Sequence, residues 1–325
     1  MHTIAINTPQ VRLNVLNNVQ ACLKIWRIYK CNSTLASQPA SQPANYTIAV
    51  ITSTIGRPEL ERAIQSVAAQ TYPCTHYVFV DGEQYADAAR EILARYPHVK
   101  AVYLPVNTGA NGWYNSHINA AASFIAQEDI ICFLDDDNWY REDHVASVVE
   151  TFIQSGADYV YTLRNLYTPQ QEFICQDNLE SLGDWACLFH QKDISFNMDI
   201  NQQYSIFFTL FGVRRQFLID VNCYALRRAV AQSIALHWCK QGFGNDAVIH
   251  TRLREQNFHN ATTGKYTVNY IFNYLKPNNL VYDAYHDLLS KNKSDTKTKS
   301  AIIEIIRTLN QAHIQAYGGR PWAKE

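Results

Sequence analysis

The chain has no C-x-x-C pair, no G-x-G-x-x-G loop and no apolar run long enough to cross a membrane. Each absence removes a class of protein. Without a paired spacing, the eight cysteines (Cys22, Cys31, Cys74, Cys132, Cys175, Cys187, Cys223 and Cys239) read as reduced, buried thiols rather than zinc ligands or disulfide partners. Without the glycine fingerprint after a first strand, a dinucleotide oxidoreductase is excluded. No stretch approaches the roughly 18 apolar residues of a membrane span, and the N-terminus lacks the apolar centre of a signal peptide. A cytoplasmic protein is the expectation. An excess of either charge is missing too: 28 basic residues against 29 acidic ones leave a net charge of −1. That gives no general field for polyanions, so no nucleic-acid partner is expected.

What is present is material for a core. With 47% apolar and 18% charged residues in 325, the chain can bury a full interior as one large domain or two. Val11, Val15, Val19, Leu23 and Trp26 fall at helical spacing, and Arg12, Lys24, Arg27 and Lys30 make the same segment basic. Such a helix packs on the rest of the protein or on a partner subunit, or lies peripherally on an anionic membrane surface. Ala36-Ser-Gln-Pro-Ala-Ser-Gln-Pro-Ala44 then repeats a short unit that offers nothing to a core, and reads as a linker.

From Tyr46 onward, strands and helices alternate. Strands are expected over 46–52, 77–81 and 99–104, followed by helices starting near Leu60, Ala86 and Tyr114. The first helix carries a stripe of Leu60, Ile64, Val67 and Ala68, with Pro58 suited to its first turn. A fourth apolar run follows at Ile130, so four strand-helix units argue for a parallel sheet with helices on both faces. Further on, the pattern predicts strands over 158–163, 204–211 and 266–274, and helices over 225–236 and from Ala247. A last helix carries Ile302, Ile306, Leu309 and His313 on one side, for packing or for oligomer contact.

The fourth run is the informative one. Ile130-Ile-Cys-Phe-Leu-Asp-Asp-Asp-Asn-Trp139 is apolar and then ends in three consecutive carboxylates. In α/β sheets, ligands bind beyond the carboxyl ends of the strands. Carboxylate oxygens there suit Mg²⁺ or Mn²⁺, and a metal held by one or two carboxylates completes its shell with substrate phosphates. A metal-bound diphosphate is the ligand this rim implies, although Asp and Asn also serve as turn formers and helix caps.

The series of motifs resembles the family 2 glycosyltransferases, inverting enzymes of the GT-A (nucleotide-diphospho-sugar transferase) fold. It runs over about residues 46–256: Ser53-Thr-Ile-Gly-Arg-Pro58, Ser66-Val67, Gln70-Thr-Tyr-Pro73, Asp81, Asn107-Thr-Gly109, Asn115, Ala122, Leu134-Asp-Asp-Asp-Asn138, and Asn245-Asp246 ahead of Arg252-Leu253. Three places depart from the family pattern: Ile55-Gly56 where Tyr-Asn is common, Asp81-Gly-Glu83 where a second acid or amide is usual, and Asn245 in place of Glu.

The resemblance implies an α/β fold with a mostly parallel central sheet flanked by helices, with helical extensions at both ends. It also implies transfer of a sugar from a nucleotide-diphosphate donor, a UDP-sugar by family habit, to a hydroxyl of a saccharide, lipid-linked or protein acceptor that the motifs do not identify. Asp137 would be the principal ligand of Mn²⁺ or Mg²⁺, and Asp135 and Asp136 would face the ribose side. Asp81 would accept hydrogen bonds from base or ribose, and Arg57 would reach a phosphate or the base. Ser53, Thr54 and Asn115 would line the donor site, with Trp139, beside the acids, to stack on it. Asp246 would be the general base, though an Asp at a helix start also caps it. His250, on the same helical face, is a metal or phosphate candidate or simply a packed histidine.

The corresponding organisation is an amphipathic helix in 1–35, a linker over 36–45, a donor half over 46–163, an acceptor half over 164–276 and a helical extension over 277–325. A sugar-phosphate nucleotidyltransferase is the competing enzyme class, but it opens with a glycine-rich loop where only Gly56 stands. A haloacid-dehalogenase-like phosphatase would want Thr or Val at Trp139. A non-catalytic binder of nucleotide-sugars or glycans is opposed by the presence of both Asp137 and Asp246.

Overall fold

The computed structural model describes residues 45–185, 194–200, 204–210, 218–273, 295–316 and 318–320. The expected N-terminal helix and, apart from residue 45, the linker lie outside the described residues. The first half alternates as the apolar runs predict: β1 (Ile48–Thr54), α1 (Leu60–Ala68), β2 (Thr75–Asp81), α2 (Ala86–Leu93), β3 (Lys100–Leu104), α3 (Ser116–Ile125) and β4 (Ile130–Phe133). There follow β5 (Trp139–Tyr140), α4 (His144–Ser155), β6 (Tyr159–Tyr167), β7 (Phe173–Gln176), β8 (Ile194–Ile200), β9 (Tyr204–Leu210), β10 (Tyr224–Arg227), α5 (Arg228–Trp238), α6 (Asn245–Glu255), β11 (Asn260–Ile271) and α7 (Asp295–Ala316).

The main sheet has the order β3-β2-β1-β4-β10-β6-β11-β5, with β7 added to β6, while β8 and β9 pair separately. β3, β2, β1 and β4 are mutually parallel, as are β6 and β11, and β10 runs antiparallel between β4 and β6. This is the mostly parallel α/β layout expected. β1 and β4 are apolar without alternation because helices cover both faces of the sheet. On β2, Val78 and Val80 pack with Leu60 and Ile64 of α1 and Ala89, Ile92 and Leu93 of α2. The alternate residues Tyr77 and Phe79 join the larger core with Ile118 of α3 and Val230 and Ile234 of α5. Phe133 and Trp238, both buried, meet there at a ring-centroid distance of 5.5 Å, and each such burial contributes on the order of 2–3 kcal/mol.

One expectation needs correction. The helix predicted over 225–236 begins only at Arg228, because Tyr224, Ala225 and Leu226 are fully buried as β10 between β4 and β6. Here sheet pairing overrides a locally helical pattern. The sequence reading also passed over α4, whose buried face of His144, Val145, Val148, Val149 and Phe152 follows a helical period through Val-rich sequence. The stripe of α7 is buried at Ile302, Ile306, Leu309 and His313, and its Asn310 side chain accepts a hydrogen bond from the Asn178 N–H at 2.7 Å. That face therefore packs on this chain. Cys132 and Cys223 are free and buried, and burial pushes their thiols up.

One charged residue lies deep in the sheet. Arg164 of β6, with its side chain 4% exposed, contacts Asp177 at 2.7 Å, Glu180 at 2.8 Å and Asp220, and its guanidinium lies 4.3 Å from the centre of the Tyr270 ring. It ties β6 to two turns that approach the carboxyl edge of the sheet. Arg164→Met leaves the Asp177 and Asp220 carboxylates buried and uncompensated, and we expect a loss of about 3–5 kcal/mol of unfolding free energy by urea titration. Removal of the exposed Arg90–Asp87 pair should change stability by less than about 1 kcal/mol.

Candidate active site

The carboxyl ends of β1, β2 and β4 open into a cavity of about 490 Å³. Ser53, Thr54, Arg57, Asp81, Asn115, Asp135, Asp136, Asp137 and Asp246 all line it. Residues as distant in sequence as Ser53 and Asp246 therefore share one wall. Trp139 does not line it. Strand geometry turns the ring of Trp139 aside, 4.7 Å from the Tyr167 ring and 4.2 Å from the Arg62 guanidinium, so its expected stacking role is not supported by its position. His250 is buried away from the cavity, with Nε2 3.6 Å from Asp184.

The rim is a tight turn, closed by the Asn138 N–H donating to the Asp135 carbonyl at 3.1 Å. Within it the three acids are used differently. Both oxygens of Asp135 accept from amides, Oδ1 from Asn115 at 2.7 Å and Oδ2 from Asn222 at 3.0 Å, and its backbone N–H donates to Asn222 Oδ1 at 2.6 Å. Asp136 is buried and engaged by the Thr54 hydroxyl at 2.7 Å and by two nitrogens of Arg57. Asp137 is the most open of the three, with its side chain 27% exposed and, among the described residues, one side-chain contact, to Arg57 at 3.3 Å. Asp81, by contrast, is largely occupied. It accepts from Thr108 N–H, Thr108 hydroxyl and Gly109 N–H, each at 2.8 Å, and so holds the 107–109 loop in place.

Several residues of the site carried no motif. Asn222 clamps Asp135 and also donates to Asp220 at 2.7 Å, while Asp220 contacts Arg164 and lines the cavity with Tyr270 and Phe243. Asn245, the departure from Glu, donates from its amide to Ser116 at 2.8 Å and Asn115 at 3.3 Å. A hydrogen-bonded line thus runs from Ser116 through Asn245, Asn115, Asp135, Asn222 and Asp220 to Arg164. It fixes the start of α6, and with it Asp246, relative to the acidic rim.

Asp246 follows the left-handed Gly244 (φ 74°) and accepts the Ala247 N–H at 2.8 Å. Burial, reinforced by the charge of Asp220, pushes its carboxyl up to about 7. Burial also raises Asp135, to about 7, with Asp137 and Asp220 adding to the shift. Burial alone would lower the Arg57 guanidinium, but Asp136 and Asp137 outweigh it and keep it charged.

Among the described residues the cavity is lined by six aspartates and a single arginine. An excess of acid suits a hard cation. No group of three or more His, Cys, Asp or Glu side chains is gathered around one point among the described residues, so the protein would supply one or two oxygen ligands. That matches a divalent ion which takes the rest of its shell from phosphate and water. The residues present fit such an ion, with Asp137 as the accessible carboxylate.

The profile described as Glycosyl transferase family 2 matches residues 49–218, from β1 through the rim and just over half of the chain. The chain belongs to glycosyl transferase family 2. An uncharacterized protein of Haemophilus influenzae is 37% identical to this family 2 chain over 127 residues, 39% of this chain and 80% of that protein. Among solved structures, TarS 1-349 of S. aureus gives a TM-score of 0.48 at 13% identity, covering 69% of this chain and 60% of that one. The chain thus spans about 60% of the length of that structure. The mannosyltransferase PcManGT from Pyrobaculum calidifontis, in complex with GDP-Man and Mn²⁺, gives 0.46 at 13% identity over 94% of this chain and 86% of that one. Among the described residues, no helix is long and apolar enough to cross a membrane.

The shift at Asp246 has a consequence for stability. Its folded pKa, about 7, exceeds the ordinary 3.8, so it contributes stability at acid pH that is lost as pH rises through about 7. The melting temperature of Asp246→Asn should therefore rise relative to the native protein between about pH 4 and pH 7, as read by calorimetry without ligand; a constant difference across that range would contradict the assignment.

Proposed function

We propose that this family 2 protein is a metal-dependent inverting glycosyltransferase that moves a sugar from a nucleotide-diphosphate donor, a UDP-sugar first, to an acceptor hydroxyl. The observation that carries this reading is the meeting, in one cavity, of an acidic rim and a separate carboxylate, Asp246, poised near neutrality. A dianionic diphosphate would be repelled by six aspartates. Mn²⁺ or Mg²⁺ held at Asp137 would supply the positive charge that neutralises the departing nucleoside diphosphate.

The chain's own residues supply the rest. Asp135 is held by Asn115 and Asn222 with its carboxylate at the cavity wall, set to receive the ribose side of the donor. Arg57, oriented by Asp136, presents a fixed cation that reaches phosphate oxygens without being released from its anchor. Ser53 and Thr54 close the β1 side, and Asp81 acts on the base and ribose chiefly through the loop it holds. The acceptor hydroxyl gives its proton to Asp246 as its oxygen bonds to the anomeric carbon. The bond from that carbon to the diphosphate oxygen breaks on the opposite face, and the configuration inverts. A carboxyl near 7 is suited to this task, since a base works best when its pKa lies near the working pH.

Purified protein with Mn²⁺ and a panel of UDP- and GDP-sugars should hydrolyse or transfer at least one of them. Asp246→Asn should lower kcat by about 10²–10⁴-fold while donor binding persists, and Asp137→Ala should remove the dependence of donor binding on Mn²⁺. Equal turnover by native protein and Asp246→Asn would remove Asp246 as the base. The rate should also fall about tenfold per unit below pH 7, as the base takes up its proton.

A further inference from the structure

Two large aromatic side chains stand at the cavity without a part in that mechanism. Tyr114 is 57% exposed and Phe243 is 66% exposed, and both line the cavity wall. Neither is a loose loop tip. Tyr114 has φ 50°, the left-handed region that a bulky side chain rarely enters, at a cost of about 1–3 kcal/mol. The loop holds it there. The Tyr114 N–H donates to the Gly109 carbonyl at 3.0 Å, and a Cβ on Gly109 would fall 2.3 Å from the Tyr114 carbonyl oxygen. Phe243 is fixed through its neighbour, since a Cβ on Gly242 would fall 1.7 Å from the carbonyl oxygen of Gly112. The two loops are in backbone contact, and the surrounding fold holds Tyr114 strained with its ring in water. Among the described residues, burial of these side chains does not account for that arrangement, and a ligand surface does.

We propose that Tyr114 and Phe243 form an aromatic platform for the C–H face of a pyranose ring, so that the acceptor is a saccharide. The chemistry of the walls selects this class. An alkyl chain would want a continuous apolar groove, whereas here two aromatic residues line the same cavity as carboxylates and amides. A sugar ring is amphiphilic in the same sense, with an apolar face and a rim of hydroxyls, and aromatic side chains that combine area with rigidity suit it. Phe243 lies three residues before Asp246 on the same turn into α6, which brings the platform close to the carboxylate that takes the acceptor proton. The proposal rests on the glycosyltransferase reading for that last point and extends it to the acceptor.

The test is saturation-transfer NMR on the full chain with UDP and Mn²⁺, using methyl pyranosides and their β-linked disaccharides as probes and hexanol as the apolar control. Ring C–H protons of at least one saccharide should be saturated. Tyr114→Ala and Phe243→Ala should each weaken that saccharide on the order of tenfold, while Tyr114→Phe and Phe243→Trp retain it. Phe243 is exposed, so Phe243→Ala stays informative even if Tyr114→Ala relaxes its strained loop. Saccharide signals equal in native and alanine proteins would overturn the proposal, as would hexanol binding with no saccharide signal. The thermal shift caused by UDP and Mn²⁺ is read on the same samples. If that shift is absent while saccharide binding still depends on the two rings, the donor reading fails and the platform stands.

Discussion

The Asp135 carboxylate is gripped on each oxygen by a side-chain amide, and the rest of the site depends on that grip. Asn115 comes from the start of α3 and Asn222 from the turn before β10. A buried carboxylate without donors would be expelled, protonated or turned into solvent. With them it stays at the edge of β4 and draws the two elements together. Because Asn115 also meets Asn245, the same grip registers α6 against the rim. The distance between the acids that face the donor and the acid proposed as base is therefore set by amides, which carry no charge and add nothing to the crowding of negative groups.

That crowding is the second constraint. Arg57 and Arg164 face this acid excess from two sides, one at the rim and one beneath it, and Arg62 donates to the Asp137 carbonyl. Arg164 is saturated by three carboxylates, so Asp220 remains part of a net negative cluster that raises Asp246 along with burial. The cavity is left short of positive charge on the side where an anionic donor would enter. On the proposed reading, a divalent ion at the half-buried Asp137 carboxylate would resolve the mismatch between acidic walls and an anionic ligand.

Much of this was legible in the sequence where signals are local. β1, β2 and β4 are buried on both faces, so they read as apolar runs, and each closes on the polar residues that line the cavity. The stripe of α1 was plain at Leu60, Ile64 and Val67, whereas Ala68 is exposed, Ala63 completes the buried face, and Pro58 falls in the turn just before the helix. β10 was not, since Tyr-Ala-Leu-Arg-Arg-Ala-Val suits a helix and its strand partners lie far back in the chain. Trp139 stands aside from the cavity lining because adjacency in sequence is not adjacency in space along extended chain, where successive side chains point apart. For Asp81, sequence marked the place but not that the 107–109 loop would consume its oxygens. Arg164, Asp220 and Asn222 are single polar residues in unrelated segments, and only their convergence in the fold gives them meaning.

The most direct test is a crystal grown with Mn²⁺ and UDP and measured at the manganese edge. The account predicts one anomalous peak between the Asp137 carboxylate and the pyrophosphate, with Asp135 still held by Asn115 and Asn222. A diphosphate bound with no ion at Asp137, or an ion bound only away from that rim, would contradict it.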